Sequence, residues 1–199
     1  MAQSADISAN RRKAATMSNY PYGYCGMPCA LCSRYRTNGK SACPGCSAGG
    51  YYTDMCKVYR CAKLKTGDSN HTHCALCKDF ICDALGKLKD FRDLNTNNVK
   101  MRTLEEIRER GFDEWYSQYC RKAMLLTVAL ENYNDGRMKR FLCELFIQND
   151  EQTLGKIMKS AEALEGDVKE KAKGFRERAQ SILKAEKGSS EGENAFGKD

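Results

Sequence analysis

Ten of the twelve cysteines in this chain of 199 residues fall between Cys25 and Cys82. In an exported protein such a run reads as a disulfide framework; in a reducing compartment thiols stay reduced and clustered pairs read as metal ligands. Residues 1–19 carry Arg11, Arg12 and Lys13 with no apolar run behind them, so neither a secretory nor a twin-arginine signal is expected there. They read as a disordered tail, with Met17 as a candidate natural start. No stretch approaches the roughly 18 apolar residues that a membrane span needs. The expectation is a cytoplasmic protein with no membrane partner, whose cysteines bind metal.

Composition supports that choice. Residues 20–82 hold all three prolines and seven of the ten tyrosines, but only Leu31, Val58, Leu64, Leu76 and Ile81 as Leu, Ile or Val. So few aliphatics cannot build an ordinary core, and a segment like this needs cross-links to fold. Each structural zinc supplies about 10 kcal/mol or more in peptide systems, which offsets the missing apolar area.

The spacing names the ligands. It runs Cys25-x3-Cys29-x2-Cys32, Cys43-x2-Cys46, Cys56-x4-Cys61, Cys74-x2-Cys77 and Cys82. Two cysteines three apart grip one ion because the turn between them aims both sulfurs inward. In Cys43-Pro44-Gly45-Cys46 the proline fixes one φ and the glycine tolerates the close approach. Four thiolates in tetrahedral array suit zinc (Zn2+), mono-iron or an iron–sulfur cluster. Ten thiols fill two structural four-cysteine sites with two left over, so two zinc ions are expected, with iron as the alternative. Two pairings stay open: 29/32 with 43/46, or 29/32 with 56/61 and 43/46 with 74/77. His71 and His73 could also serve. Cys120 and Cys143 lie in helical sequence and read as small buried apolar residues.

Cys25-x3-Cys29-x2-Cys32 also matches the cluster spacing of radical-SAM enzymes. That chemistry needs a long α/β barrel behind the motif, and Leu31 stands where an aromatic is usual. The sequence behind the motif here is helical instead.

From Asp83 to about Lys187 helix formers dominate. Thr103-Leu104-Glu105-Glu106 reads as a capping box and Gly111 as a helix stop. A helix is expected from near Asp113 to Asn134 with Trp115, Tyr119, Leu126 and Leu130 on one face. Others are expected over about 137–148, 153–164 and 168–184, the last with Val168, Phe175, Ile182 and Leu183 inward. The fold class expected is a small metal-stapled, irregular domain of short hairpins and turns, followed by an all-α bundle. The divisions are 1–19 disordered, 20–82 cysteine-rich, 83–187 helical and 188–199 a disordered tail.

Tyr24-Cys25-Gly26-Met27-Pro28-Cys29-Ala30-Leu31-Cys32-Ser33-Arg34-Tyr35, then Cys43-Pro44-Gly45-Cys46, Cys61-Ala62 and Cys74-x2-Cys77-Lys78-Asp79-Phe80-x-Cys82, resemble the cysteine-rich prokaryotic family known as domain of unknown function 3795. The similarity continues into Ile107 to Trp115 and covers about residues 22–120. It implies zinc binding and no particular activity. Ile81 departs from the proline usual before the last cysteine, and His71 and His73 are not in the family pattern.

Other functions have less behind them. No His-Glu-x-x-His, Gly-x-Ser-x-Gly, P-loop or dinucleotide motif occurs, and all-thiolate sites are usually closed, which weighs against an enzyme. The net charge of +7 invites nucleic acid, but two tetrathiolate zinc centres lower it to about +3. A nucleic-acid-binding zinc module is therefore the second alternative, and another protein is the expected partner.

Overall fold

The computed structural model describes residues 20–65, 73–89 and 99–193. Residues 1–19, His71 and the last six residues of the expected tail lie outside them. The chain is mainly helical, and no strand occurs among the described residues. In order come 3₁₀ turns at Cys29–Leu31 and Cys46–Ala48, α1 (Tyr51–Asp54), α2 (Lys57–Lys65) and a 3₁₀ turn at Cys74–Leu76. Then follow α3 (Asp83–Lys89), α4 (Val99–Arg110), α5 (Phe112–Tyr133), α6 (Lys139–Gln148), α7 (Glu151–Ala161) and α8 (Val168–Glu193). No helix among the described residues is long and apolar enough to cross a membrane. The chain divides into two compact units, one up to Met124 and one from Leu125, with the division inside α5.

In the first unit, the hairpins expected of the cysteine-rich segment are replaced by 3₁₀ turns and short helices. A ladder needs alternating apolar runs, and this segment has none. The compositional change at 82/83 lies inside this unit. Its core includes Leu104 and Ile107 of α4 with Trp115, Tyr119 and Ala123 of α5, spaced to share a helix face. Trp115 and Tyr119 stack with ring centres 5.1 Å apart, and Tyr22 meets Trp115 edge-on at 6.0 Å. Each buried aromatic is worth about 2–3 kcal/mol, so the rings supply what the missing aliphatics would.

Helix α4 stops because Gly111 adopts φ +89°, its N–H closing on the Ile107 carbonyl at 2.9 Å. Its start differs from the sequence expectation. Thr103 does not cap it: the helix already runs from Val99, and Thr103 is buried within it. Val99 and Met101 are buried as well, so packing carries the helix past a local start signal.

The second unit is built from the remainder of α5 with α6, α7 and α8. Leu142 and Phe146 of α6, Leu154 and Ile157 of α7, and Phe175 of α8 are fully buried. Asp150 caps α7, its carboxylate accepting from Thr153 N–H at 2.7 Å. At the head of α8, Asp167 accepts from the N–H groups of Lys169 (2.8 Å) and Glu170 (2.9 Å), while Glu170 accepts from Asp167 N–H (3.0 Å). That reciprocal pair is the capping box actually used. Two expectations are corrected here. Val168 is exposed, and the buried face of α8 is Ala172, Phe175 and Ala179. The helix also continues to Glu193, through residues expected to be tail.

Candidate metal centre

Two of the cysteine turns are built alike. Cys29-Ala30-Leu31-Cys32 and Cys74-Ala75-Leu76-Cys77 are the same tetrapeptide, and each forms a 3₁₀ turn closed by the second cysteine's N–H on the first cysteine's carbonyl (2.9 and 3.1 Å). In both, the alanine is buried and its carbonyl accepts from an arginine. Arg36 Nε donates to Ala30 at 2.6 Å, and Arg108 Nη1 donates to Ala75 at 2.9 Å. Each arginine also lies over the aromatic three residues past its turn: Arg36 5.9 Å from the Tyr35 ring centre, Arg108 4.6 Å from that of Phe80. The sequence expectation missed these braces. The signal available was the repeated Cys-Ala-Leu-Cys-x-x-aromatic.

The first turn is fixed further by Tyr119, whose hydroxyl accepts from Ala30 N–H (2.7 Å) and donates to the Pro21 carbonyl (2.5 Å). Burial holds that hydroxyl's pKa well above the tyrosine range, so it stays protonated and donating. Arg36 Nη2 reaches on to the Ala123 carbonyl of α5 at 2.8 Å. The second turn is tied to the segment before the first by Cys74 N–H, which donates to the Tyr24 carbonyl at 2.8 Å.

Between Cys43 and Cys46, the glycine takes the close-approach role expected of it. Gly45 adopts φ +92°, and a Cβ there would press on the Pro21 ring at 2.6 Å. Cys46 N–H then points at Cys29 Sγ, 3.4 Å away, the amide-to-sulfur contact that favours a thiolate. A Cβ placed on Gly23 would meet Met27 Cβ at 3.0 Å, Cys25 Sγ at 3.4 Å and Cys46 Cβ at 3.5 Å. Cys25, Cys29 and Cys46 therefore share one neighbourhood. Burial and the charge of Cys46 push the Cys25 thiol up to about 12, with Cys56 contributing in the same direction. Cys29 is also raised, chiefly by the side-chain hydrogen bond with the Cys46 thiol and by burial, while the Cys46 N–H works in the opposite direction.

A second neighbourhood is a cavity of about 30 Å³, room for one or two water-sized bodies. Cys61 of α2, Cys74, Cys77 and Cys82 all line it, with Lys65, Asp79, Phe80 and Leu85 among the other walls. Burial, then the charges of Cys25 and Cys82, push Cys74 up to about 12. Lys65 Nζ donates to Asp79 (3.1 Å) and to Cys77 Sγ (3.5 Å), and those two acceptors raise its own pKa. The ammonium therefore remains charged beside the sulfur.

None of the twelve cysteines is disulfide-bonded. Among the described residues, no three His, Cys, Asp or Glu side chains converge closely enough as placed to hold an ion. Four thiols about a small cavity are nevertheless a donor set whose chemistry suits a thiophilic cation, and burial raises the pKa of one of them, Cys74. His73, next to Cys74, is buried and stacks on Phe112, ring centres 4.7 Å apart. Cys120 and Cys143 are buried in α5 and α6, as expected of small apolar residues. Cys32 is buried too, while Cys43 and Cys56 are partly exposed. No family model, curated protein or solved structure matches the chain.

Proposed function

We propose that this chain is a metal–thiolate protein, holding two zinc ions that shape its first unit as a zinc-finger-like module whose surface binds another protein. The observation that carries the reading is the repeated Cys-Ala-Leu-Cys turn, clamped twice through the same alanine carbonyl by an arginine. Chains fix cysteine turns this firmly where sulfur direction matters, because pre-set ligands lose less entropy when an ion binds. The resemblance to domain of unknown function 3795 points the same way. A reducing, cytoplasmic setting is part of the proposal, since the ligands must remain thiols.

The metals are structural in this reading: all-thiolate sites are closed, and the sequence sets no catalytic motif beside them. Elemental analysis of protein purified without added metal tests it, with two zinc per chain expected. A metal-free, fully folded protein would overturn it. Stoichiometric iron with absorption near 400 nm and above would replace it with the electron-transfer alternative. Tight, salt-dependent RNA or DNA binding would favour the nucleic-acid module.

A further inference from the structure

We infer that Cys61, Cys74, Cys77 and Cys82 are the complete ligand set of one thiophilic divalent cation, and that Cys25, Cys29 and Cys46 belong to a separate one. This rests on the metal–thiolate reading and assigns its ligands. All four of the first set line one cavity, although they come from three places in the chain: α2, the second Cys-Ala-Leu-Cys turn, and the residue that opens α3. Cys82 is held at that opening by its carbonyl, which accepts from Leu85 N–H (3.0 Å) and Gly86 N–H (2.8 Å). The separate set is joined by Cys46 N–H on Cys29 Sγ at 3.4 Å, and Cys25 Sγ and Cys46 Cβ both lie beside Gly23, 3.4 and 3.5 Å from where a Cβ on it would stand.

Cys56 and Cys61 fall on different sides of this division. Cys56 lies just before α2, where its carbonyl accepts from Arg60 N–H at 3.0 Å. It does not line the cavity that Cys61 lines, and its charge acts on Cys25. Lys65, one turn beyond Cys61, shares its face. Its Nζ reaches Cys77 Sγ at 3.5 Å, which shows that this face of α2 looks onto the second turn. Of the two pairings that spacing leaves open, this division puts Cys46 with Cys29 and not with the 74/77 turn.

Four thiolates on a divalent cation carry a net −2, and the Lys65 ammonium lies against one of those sulfurs. The Asp79 carboxylate holds it there at 3.1 Å. The site therefore contains its own outer cation, and Val58, Phe80 and Leu85 give it apolar walls.

The test uses the wild-type chain as purified. A limiting chelator removes metal stepwise, iodoacetamide labels the sulfurs released, and peptide mapping reads which cysteines label together. Cys61, Cys74, Cys77 and Cys82 should label as one block, and Cys25, Cys29 and Cys46 as another. In native mass spectra, Cys61→Ser/Cys82→Ser should lose one ion, and Cys29→Ser/Cys77→Ser should lose two. Cys61 labelling with the Cys25 block, or Cys61→Ser/Cys82→Ser losing both ions while the chain keeps its native far-UV CD, would overturn the division and leave metal binding intact. A wild-type chain with no metal would overturn both.

Discussion

Arg36→Met removes the brace of the first cysteine turn while keeping the length and apolar bulk of the side chain. Arg36 gives two hydrogen bonds to carbonyls of fully buried residues, Ala30 at 2.6 Å and Ala123 at 2.8 Å. Bonds from a charged donor are worth about 1.5–3 kcal/mol each, and the half-buried guanidinium argues for the lower end, so the loss should be about 3 kcal/mol. The cation–π contacts with Tyr20 and Tyr35, at 5.8 and 5.9 Å, are too long and too exposed to add much. Trp115, the single tryptophan, reports on this spot: it is buried and stacks on Tyr119, whose hydroxyl holds Ala30 N–H. With a urea slope of about 2 kcal/mol/M, the fluorescence midpoint should fall by about 1.5 M. Arg36→Lys keeps the charge but not the fork, and should recover less than half of the loss. A midpoint shift below about 0.3 M for Arg36→Met would refute the brace.

Phe175→Ala opens a cavity at a fully buried ring stacked 4.6 Å from Tyr133, and should cost about 3–5 kcal/mol, read as a fall in Tm; a change below about 1 kcal/mol would remove Phe175 from the core of the second unit. Asp167 has its carboxyl pKa lowered by the N–H groups of Glu170 and then Lys169, so its stabilisation of α8 is present above the ordinary carboxylate pKa and is lost as pH falls through the lowered folded value. Helicity of Asp167→Ala by far-UV CD should accordingly lie below wild type at neutral pH and converge with it in acid; a constant gap would sink the titration argument. Lys65→Met takes the ammonium off Cys77 Sγ and should weaken metal retention about tenfold or more in competition with a chromophoric chelator, Lys65→Arg restoring part of it. Unchanged retention would make that contact incidental.

The helical half was open to sequence reasoning because its elements repeat at 3.6 residues. Trp115, Tyr119 and Leu126 mark the buried side of α5, and Gly111 and Gly136 stand beside its ends with positive φ. The errors arose where a local signal competed with packing. Thr103 carries a cap pattern, yet buried Val99 and Met101 extend α4 past it; Asp167 and Glu170 close a capping box that the apolar pattern alone does not disclose. In the cysteine-rich segment, spacing identified the turns but not their partners. Ala30 is bonded by Tyr119, 89 positions away, and no local rule reaches that far. The repeat of Cys-Ala-Leu-Cys was visible in the sequence, but its meaning depended on Arg36 and Arg108, which only the fold brings to the two alanine carbonyls. Leu31 and Leu76 show how context splits identical words: the first is buried, the second exposed.

Native mass spectrometry of gently ionised protein, expressed and purified with no metal added, weighs the ligands of the thiols directly. The chain should carry the mass of two zinc ions less the protons they displace, and should drop to the bare polypeptide mass only when acid unfolds it. A folded chain at its bare polypeptide mass would contradict the account.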